Sequence, residues 1–148
     1  MANLTSNQVC NICCIHYNAG LRCCALGSLV EGGYLFAKRG GIGWIVACAS
    51  RQVGRQWACR ADAVTVAQAS NACGDWFVPS RTDLLLGHDC KSFWDSFSSA
   101  RYLSSTERDA TTVWHVCFNG GNVQTFSPKT ADGITLSYCV RAFRRVSY

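Results

Sequence analysis

The chain has 148 residues, 49% of them apolar, which predicts a single domain with its own hydrophobic core. No apolar run reaches the roughly 18 residues that a membrane-spanning helix requires, so we expect no membrane span. The net charge of +5 comes from residues 1–60. Because it forms no basic run and accompanies no nucleic-acid motif, it favours a solvated or protein-docking face over nucleic acid.

Residues 1–30 form a cysteine-rich segment with few charges. Its start, residues 1–8, has neither a basic residue nor an apolar stretch, which is untypical of a secretory leader and favours folding in a cytosol. The segment is too short to bury a core of its own, so we expect an attachment arm that precedes a domain at 31–148. Five of the eleven cysteines lie in it: Cys10, Cys13, Cys14, Cys23 and Cys24.

Three interpretations of these cysteines remain open. Cys10, Cys13, Cys23 and Cys24 offer four thiolates for zinc, although adjacent cysteines point in different directions. Disulfides are possible, but a cytosolic origin argues against them. The favoured interpretation is that small apolar side chains fill a packed or interfacial surface. We therefore predict no metal and no cofactor.

The domain is predicted to open with a β-hairpin and a helix. Residues 31–37 and 42–48 have the composition of two strands, and Lys38–Gly41 has that of the turn between them. A helix is predicted over 63–72, with Asp62 as its N-cap and a narrow face of small residues.

Two further helices are predicted in the middle of the chain. One begins after Pro79, with Ser80 as N-cap and Asp83 completing a capping box, and Gly87 is expected to end it. A weaker helix is predicted over Lys91–Ser99, where aromatic residues recur at helical spacing.

From Val113 onward the apolar period changes to two, which predicts strands. Asn119–Asn122 is a strong hairpin turn, and residues 123–126 form the returning strand. A last strand is predicted over Leu136–Phe143.

Four short signatures follow one another in the second half of the chain. They are DWFVPS at 75–80, YLSSTE at 102–107, VWHVCFNGG at 113–121 and YCVR at 138–141. Their order resembles the DUF1566 domain family, which is related to the C-terminal domain of Legionella collagen-like adhesin. The resemblance covers roughly residues 31–144. It implies an α+β, C-type lectin-like fold of antiparallel hairpins with two or three short helices, as in phage tropism determinants and the formylglycine-generating-enzyme group.

The resemblance assigns mainly structural roles to the signature residues. In lectin-like folds a cysteine on the first helix bridges to one on the last strand, which implies a disulfide between Cys73 and Cys139. Leu103 stands where the family usually has tryptophan. The calcium-type lectin signatures are absent, so calcium-dependent sugar binding is not expected. The residues expected to pack or hydrogen-bond the loops are Trp76, Pro79, Ser80, Tyr102, Ser104, Ser105, Thr106, Trp114 and Arg141.

Lectin-like domains without calcium display variable loops on a rigid body. In phage tropism determinants this face comes from the late hairpin and its neighbouring loops. The mixture of aromatic and amide side chains in that region is typical of adaptable binding faces. The corresponding positions are Arg108, Asp109, Thr111, His115, Asn119, Asn122, Gln124, Phe126, Lys129, Asp132 and Ser137.

The display fold and the expected cytosolic synthesis predict a non-enzymatic phage virion structural protein, such as a tail fibre, baseplate tip or capsid decoration subunit. Residues 1–30 would bind other virion proteins in a homo-oligomeric assembly, and the lectin-like body would contact a host-surface glycan or protein. The alternative is a bacterial adhesin or a calcium-independent carbohydrate-binding module at the cell surface. An enzyme of the formylglycine-generating type is not expected, because that chemistry needs paired reactive cysteines and a metal.

Overall fold

The computed structural model describes residues 24–30, 32–54, 60–68, 75–97, 101–119, 124–129 and 138–147. They form a mixed α+β fold in which mostly antiparallel strands make two sheets, accompanied by two α-helices. The strands are β1 (Leu29–Val30), β2 (Gly33–Arg39), β3 (Ile42–Ala47), β4 (Val53–Gly54), β5 (Arg101–Glu107), β6 (Thr112–Cys117), β7 (Gln124–Pro128), β8 (Tyr138–Val140) and β9 (Phe143–Ser147). The helices are α1 (Arg60–Gln68) and α2 (Arg81–Asp89), and two 3-10 turns span Ala49–Arg51 and Lys91–Phe93. Within these ranges no helix is long and apolar enough to cross a membrane.

The first sheet has the strand order β1-β2-β3-β9, and adjacent strands in it are all antiparallel. The predicted hairpin is confirmed, since β2 and β3 pair as far as Arg39 and Ile42, which flank the turn. Gly40 and Gly41 in that turn have φ angles of 56° and 78°. A tight two-residue hairpin turn requires this left-handed region, which glycine adopts without strain. Through β1, the last residues of the predicted arm belong to this sheet.

The second sheet has the strand order β4-β8-β5-β6-β7. Adjacent strands in it are antiparallel except for β5 and β8, which run parallel. The predicted late hairpin is confirmed as β6 and β7, and it places Trp114 opposite Phe126 and His115 opposite Thr125. Of its predicted turn, only Asn119 lies within the described residues.

The prediction of one last strand over Leu136–Phe143 is wrong. The chain leaves the second sheet at the end of β8 and enters the first sheet as β9. At the crossing, Ala47 N–H donates to Ala142 O at 3.0 Å, and Arg141 Nε donates to Ala47 O at 2.6 Å. Every residue from 138 to 143 is buried, so the apolar pattern alone does not reveal the change of sheet.

An aromatic cluster joins the two sheets. Phe36 and Phe143 of the first sheet have ring centroids 4.9 Å apart. Tyr102 of the second sheet and Phe118, which directly follows β6, are 4.7 Å apart. Trp94 lies between these pairs, 4.8 Å from Phe118 and 5.7 Å from Phe143. Tilted and edge-on contacts of this kind contribute about 0.5–1.5 kcal/mol per pair beyond burial. The packing of these rings therefore fixes one sheet against the other.

The first helix contributes a face of small side chains. Ala63 and Ala67 are fully buried, as the predicted face requires. The helix begins at Arg60, before the predicted cap, so the assignment of Asp62 as N-cap is wrong. Asp62 lies in the first turn, where a carboxylate is favoured by the positive end of the helix dipole.

The second helix begins as predicted and ends later than predicted. The capping box is confirmed, with Asp83 N–H donating to Ser80 Oγ at 3.1 Å and Ser80 N–H donating to Asp83 Oδ2 at 3.0 Å. Gly87 does not end the helix, which continues to residue 89. A Cβ at Gly87 would lie 2.9 Å from Trp94 Cζ2 and 3.0 Å from Phe143 Cζ. Glycine is therefore needed there for close packing.

The predicted third helix over Lys91–Ser99 is wrong. Within residues 91–97, the described part of this span, only the first three form a 3-10 turn, and Trp94 follows it in an extended conformation with φ −79° and ψ 154°. This conformation accompanies burial of the Trp94 ring in the aromatic cluster, whereas Phe97 remains 37% exposed. Tertiary packing of one large ring thus overrides the helical spacing.

Gly87→Ala is expected to lower the free energy of unfolding by roughly 1–2 kcal/mol. Overpacking a filled core costs about 1–3 kcal/mol, while the better helix propensity of alanine returns up to about 1 kcal/mol. Urea unfolding curves measure the difference. Thr82→Ala, at an exposed position of the same helix, is the control and should change stability by less than about 0.5 kcal/mol. Equal or higher stability of the Gly87 variant would contradict the close packing.

Candidate binding surface

Hydrogen bonds fasten β5 to the beginning of α2. Ser105 N–H donates to Pro79 O at 2.8 Å, and Arg81 N–H donates to Thr106 Oγ1 at 2.9 Å. Pro79 is buried, and Ser80 caps the helix immediately after it. The P-S and S-S-T-E signatures therefore meet in space, although they are distant in the sequence.

A second set of contacts fixes β5 to its neighbours. Ser104 is fully buried, and its Oγ donates to Trp114 O at 2.7 Å and accepts from Thr106 N–H at 3.1 Å. Tyr102 is also fully buried, and its hydroxyl donates to Gln52 Oε1 at 2.8 Å. These bonds satisfy polar groups that burial has removed from water.

Arg141 and Trp76 contribute to the interior and not to the surface. Arg141 has a fully buried side chain whose guanidinium donates to Ala47 O, to Ser96 O and to Asp95 Oδ1. Trp76 is 5% exposed and belongs to the apolar cluster that also contains residues of β2 and β3.

The loop between β5 and β6 is held in one shape by Asp109. Its Oδ1 accepts from Thr111 N–H at 2.8 Å and from Thr112 N–H at 2.7 Å. Hydrogen bonds from Thr112 and Thr111 lower the pKa of Asp109 to about 2. Lys129 fastens the end of β7 to the same loop, because its Nζ lies 2.9 Å from Glu107 Oε2 and donates to Ala110 O at 3.0 Å. The loop is therefore preorganised.

Four side chains beside this loop form what we call the aromatic–arginine stack: Arg81, Trp114, Phe126 and Arg108. The rings of Trp114 and Phe126 lie 5.7 Å apart with an interplanar angle of 81°. The guanidinium carbon of Arg81 is 4.4 Å from the Trp114 ring centroid, and that of Arg108 is 3.7 Å from the Phe126 centroid. Phe126 is 42% exposed. The stack thus brings two rings and two guanidiniums to one place on the surface.

The predicted face is assembled only in part. Among its described members, Arg108, Asp109, Thr111, Asn119, Gln124 and Phe126 are exposed and Lys129 is half-buried. Asn119 and Gln124 lie toward the turn that joins β6 to β7. The loop between β5 and β6 lies at the opposite end of this hairpin. Outside the described residues are Asn122, Asp132 and Ser137.

Sequence reasoning missed Arg81 and assigned Trp114 only a packing role. The period-two pattern does place Trp114 on one face of β6. The pairing of Trp114 with Phe126 depends on the hairpin register. Arg81 reaches the stack because the capping box starts α2 directly before it. A search for arginines next to a helix cap could have found it.

The assignment of His115 to the surface is wrong. His115 is 1% exposed, its Nδ1 lies 3.2 Å from Ser127 Oγ, and the Tyr138 hydroxyl donates to that Oγ at 2.5 Å. Strand β6 lies between β5 and β7, and side chains pack against both of its faces. His115 is therefore buried although it is polar. Burial, followed by the positive charge of Arg101, lowers the pKa of His115 to about 4.

The Cys73–Cys139 disulfide stays a prediction. Cys139 is buried on β8, and Gln52 Nε2 donates to its Sγ at 3.0 Å. Cys73 lies outside the described residues.

Cys24 is both packed and covalently bonded. It is 3% exposed and belongs to a core cluster, but its disulfide is the alternative that the expected cytosolic origin disfavoured. Because it is disulfide-bonded, in this state it does not offer the thiolate that a zinc ion needs. The other candidate zinc ligands, Cys10, Cys13 and Cys23, lie outside the described residues. Among the residues that are described, no group of three or more His, Cys, Asp or Glu side chains could hold a metal ion.

Two other thiols are not activated. Burial raises the pKa of Cys48 and of Cys90, and the nearby Asp95 carboxylate raises that of Cys48 further. A thiol with a raised pKa is mostly protonated at neutral pH, so neither residue supplies the thiolate that nucleophilic chemistry requires.

No protein-family model matches the chain, and no curated protein matches it. The resemblance to the DUF1566 family therefore depends on the four sequence signatures.

Proposed function

We propose that the chain is a non-enzymatic structural protein of a phage particle, with a body of C-type lectin-like fold. It serves as a tail fibre, baseplate tip or capsid decoration subunit and presents the aromatic–arginine stack to a host surface. The cysteine-rich residues 1–30, whose end is anchored in the first sheet by β1, attach the body to other virion proteins. Several copies act together in the assembly.

The stack is the observation that carries this proposal. Exposed aromatic rings accompanied by arginines are enriched where proteins recognise partners. Phe126 stays 42% exposed even though other large rings of the chain are packed in the aromatic cluster. The bonds of Ser104, Thr106 and Asp109 hold the strand, helix and loop around it. A surface that is already ordered loses less entropy on binding.

A lectin-like body is supported by the order of the elements. An early antiparallel hairpin is followed by two helices and then by the strands that carry the late signatures. Of these, β5 and β6 are antiparallel, and β8 runs parallel to β5. The signature residues lie where loops are fastened, as the resemblance implies for a display domain.

A bacterial adhesin or calcium-independent carbohydrate-binding module is the second candidate. The exposed ring of Phe126 favours it, because the electron-rich face of an aromatic ring attracts the C–H groups of a sugar. The two candidates use the same surface and differ in where the protein is found.

Particles that carry Phe126→Ala are expected to contain the chain in unchanged amount. They should adsorb to host cells at least about tenfold less well, because truncation of an aromatic hot spot costs about 2 kcal/mol or more of binding free energy. Quantitative mass spectrometry of purified particles measures incorporation, and adsorption assays measure binding. Phe97→Ala, which changes another exposed phenylalanine outside the stack, is the control and should adsorb normally. A chain absent from particles and present on cell surfaces would favour the adhesin and contradict the virion proposal.

A further inference from the structure

The stack contains one guanidinium that has no carboxylate partner among the described residues. A guanidinium that packs on a ring uses its flat face and leaves its N–H edge for a carboxylate. The Arg108 guanidinium lies 3.6 Å from Asp109 Oδ2. No carboxylate of the described ranges lies within 4.0 Å of Arg81. Arg81 therefore offers a donor fork beside the Trp114 ring.

The other charges near the stack compensate one another. Lys129 pairs with Glu107 at 2.9 Å, and Arg108 pairs with Asp109. Arg81 is the member of the stack that has no carboxylate within 4.0 Å among the described residues. One such cation suits a ligand with a single carboxylate. A nucleic-acid strand presents a run of phosphates, for which the stack offers only this one guanidinium without a carboxylate partner.

The rings give the second requirement for the ligand. Arg108 lies over the ring of Phe126, and the Trp114 ring meets it nearly perpendicularly, yet Phe126 stays 42% exposed. The exposed part of an aromatic ring accepts an apolar face with polarised C–H groups. A ligand that satisfies both requirements has an apolar ring face and a carboxylate.

We propose that the aromatic–arginine stack binds an acidic saccharide, with a pyranose ring against Phe126 and a uronic or sialic acid carboxylate on the guanidinium edge of Arg81. This inference rests on the proposed role of the stack as the recognition surface and adds the chemical class of the ligand. The pairs around Lys129 and Arg108 keep the site nearly neutral elsewhere, which disfavours polyphosphates.

The test measures binding of the full chain to a panel of uronic and sialic acid oligosaccharides, each matched with its methyl ester. The ester keeps the sugar ring and removes the charge. The acids are expected to bind at least about tenfold more tightly than their esters, because a charge-assisted hydrogen bond contributes more than a neutral one. Arg81→Gln should remove this preference, and Phe126→Ala should weaken both forms.

The matched control is Arg145→Gln. Arg145 also lies over an aromatic ring, 4.7 Å from the centroid of Phe77, but it belongs to β9 in the first sheet. Its variant should bind like the unchanged chain, and far-UV circular dichroism should show that all variants are folded. Equal affinity for acids and esters, no binding to any acid, an unaffected Arg81 variant, or tighter binding of single-stranded DNA would each overturn the inference. Such a failure in a chain that is present in purified particles would leave the virion proposal intact.

Discussion

Arg141→Met is expected to lower the free energy of unfolding by about 3–5 kcal/mol, because a fully buried guanidinium no longer donates to two carbonyl oxygens and one carboxylate. For a chain of 148 residues this corresponds to a fall in Tm of roughly 10–15 °C. Methionine keeps much of the side-chain volume, so the loss reports on the charge and the hydrogen bonds.

The size of the effect follows from the groups that Arg141 serves. Its guanidinium donates to two carbonyl oxygens and to the Asp95 carboxylate, and it lies 4.9 Å from the Trp94 ring centroid. Burial alone would raise the pKa of Asp95, but the Ala49 N–H and Arg141 outweigh it and hold that pKa below its ordinary value. The contribution is therefore complete above about pH 4 and is lost as the pH falls through the lowered pKa.

Thermal and urea unfolding of the variant measure the loss. Arg145→Met, at an exposed arginine of the neighbouring strand, is the control and should change stability by no more than about 0.5 kcal/mol. A double-mutant cycle with Asp95→Asn separates the ion pair from the other bonds. A loss below about 1 kcal/mol for Arg141→Met would show that the crossing between the sheets does not depend on this side chain.

The second large effect is a loss of stability in mild acid. His115 titrates near pH 6.5 in the unfolded chain and near pH 4 in the folded protein. Between these pH values the imidazole is protonated in the unfolded state and neutral in the folded state. The free energy of unfolding therefore falls as the pH falls. This difference between the two pKa values contributes about 3 kcal/mol to the free energy of unfolding. The contribution is fully present above pH 6.5 and is lost by pH 4.

The geometry around His115 explains why its imidazole stays neutral in the folded state. The Tyr138 hydroxyl donates to Ser127 Oγ, and the same Oγ is hydrogen-bonded to His115 Nδ1 at 3.2 Å. The neutral ring makes this bond in either tautomer. Among the described residues Nε2 has no hydrogen-bond partner, and Arg101 is the charged group that acts on the ring. A positive imidazolium would therefore be buried without compensation.

Urea unfolding at several pH values from 7.5 to 4.5 tests this expectation. His115→Leu should remove about 2.5 kcal/mol of the pH dependence over this range, whatever its effect on stability at pH 7.5. His88→Gln, which changes a histidine of α2 outside the buried network, should keep the acid loss of the unchanged chain. An identical pH dependence in the His115 variant would contradict a buried neutral imidazole.

Features encoded by a few adjacent residues could be predicted from the sequence. The capping box at Ser80 and Asp83 needs only residues within one helical turn, and the Gly40-Gly41 turn needs only two residues with positive φ. Both were located correctly. The alternation along β6 was also predicted, because a strand imposes it without reference to any partner.

Features decided by distant partners could not be predicted in the same way. Gly87 stays inside α2 because Trp94 and Phe143 fill the space where a side chain would be. Trp94 leaves the helical pattern because a buried position between two sheets is available to it. His115 has the sequence position of a surface residue, yet packed side chains cover both faces of its strand. In each case tertiary contacts outweigh local preference.

The candidate surface combines both kinds of feature. Phe126 and Arg108 were predicted on the binding face from the likeness to phage tropism determinants. The strand register and the start of α2 add Trp114 and Arg81. The proposed ligand class depends on these two additions, because Arg81 is the arginine of the stack that has no carboxylate partner among the described residues.

Hydroxyl-radical footprinting of purified phage particles tests the central proposal most directly. Peptides of the chain are expected in stoichiometric amount, and Phe126 should be oxidised as fast in the particle as in the isolated chain. Residues 1–23 should become protected on assembly, since the arm makes the attachment. Absence of the chain from the particles, or protection of Phe126 within them, would contradict the proposal that the aromatic–arginine stack faces outward from a virion.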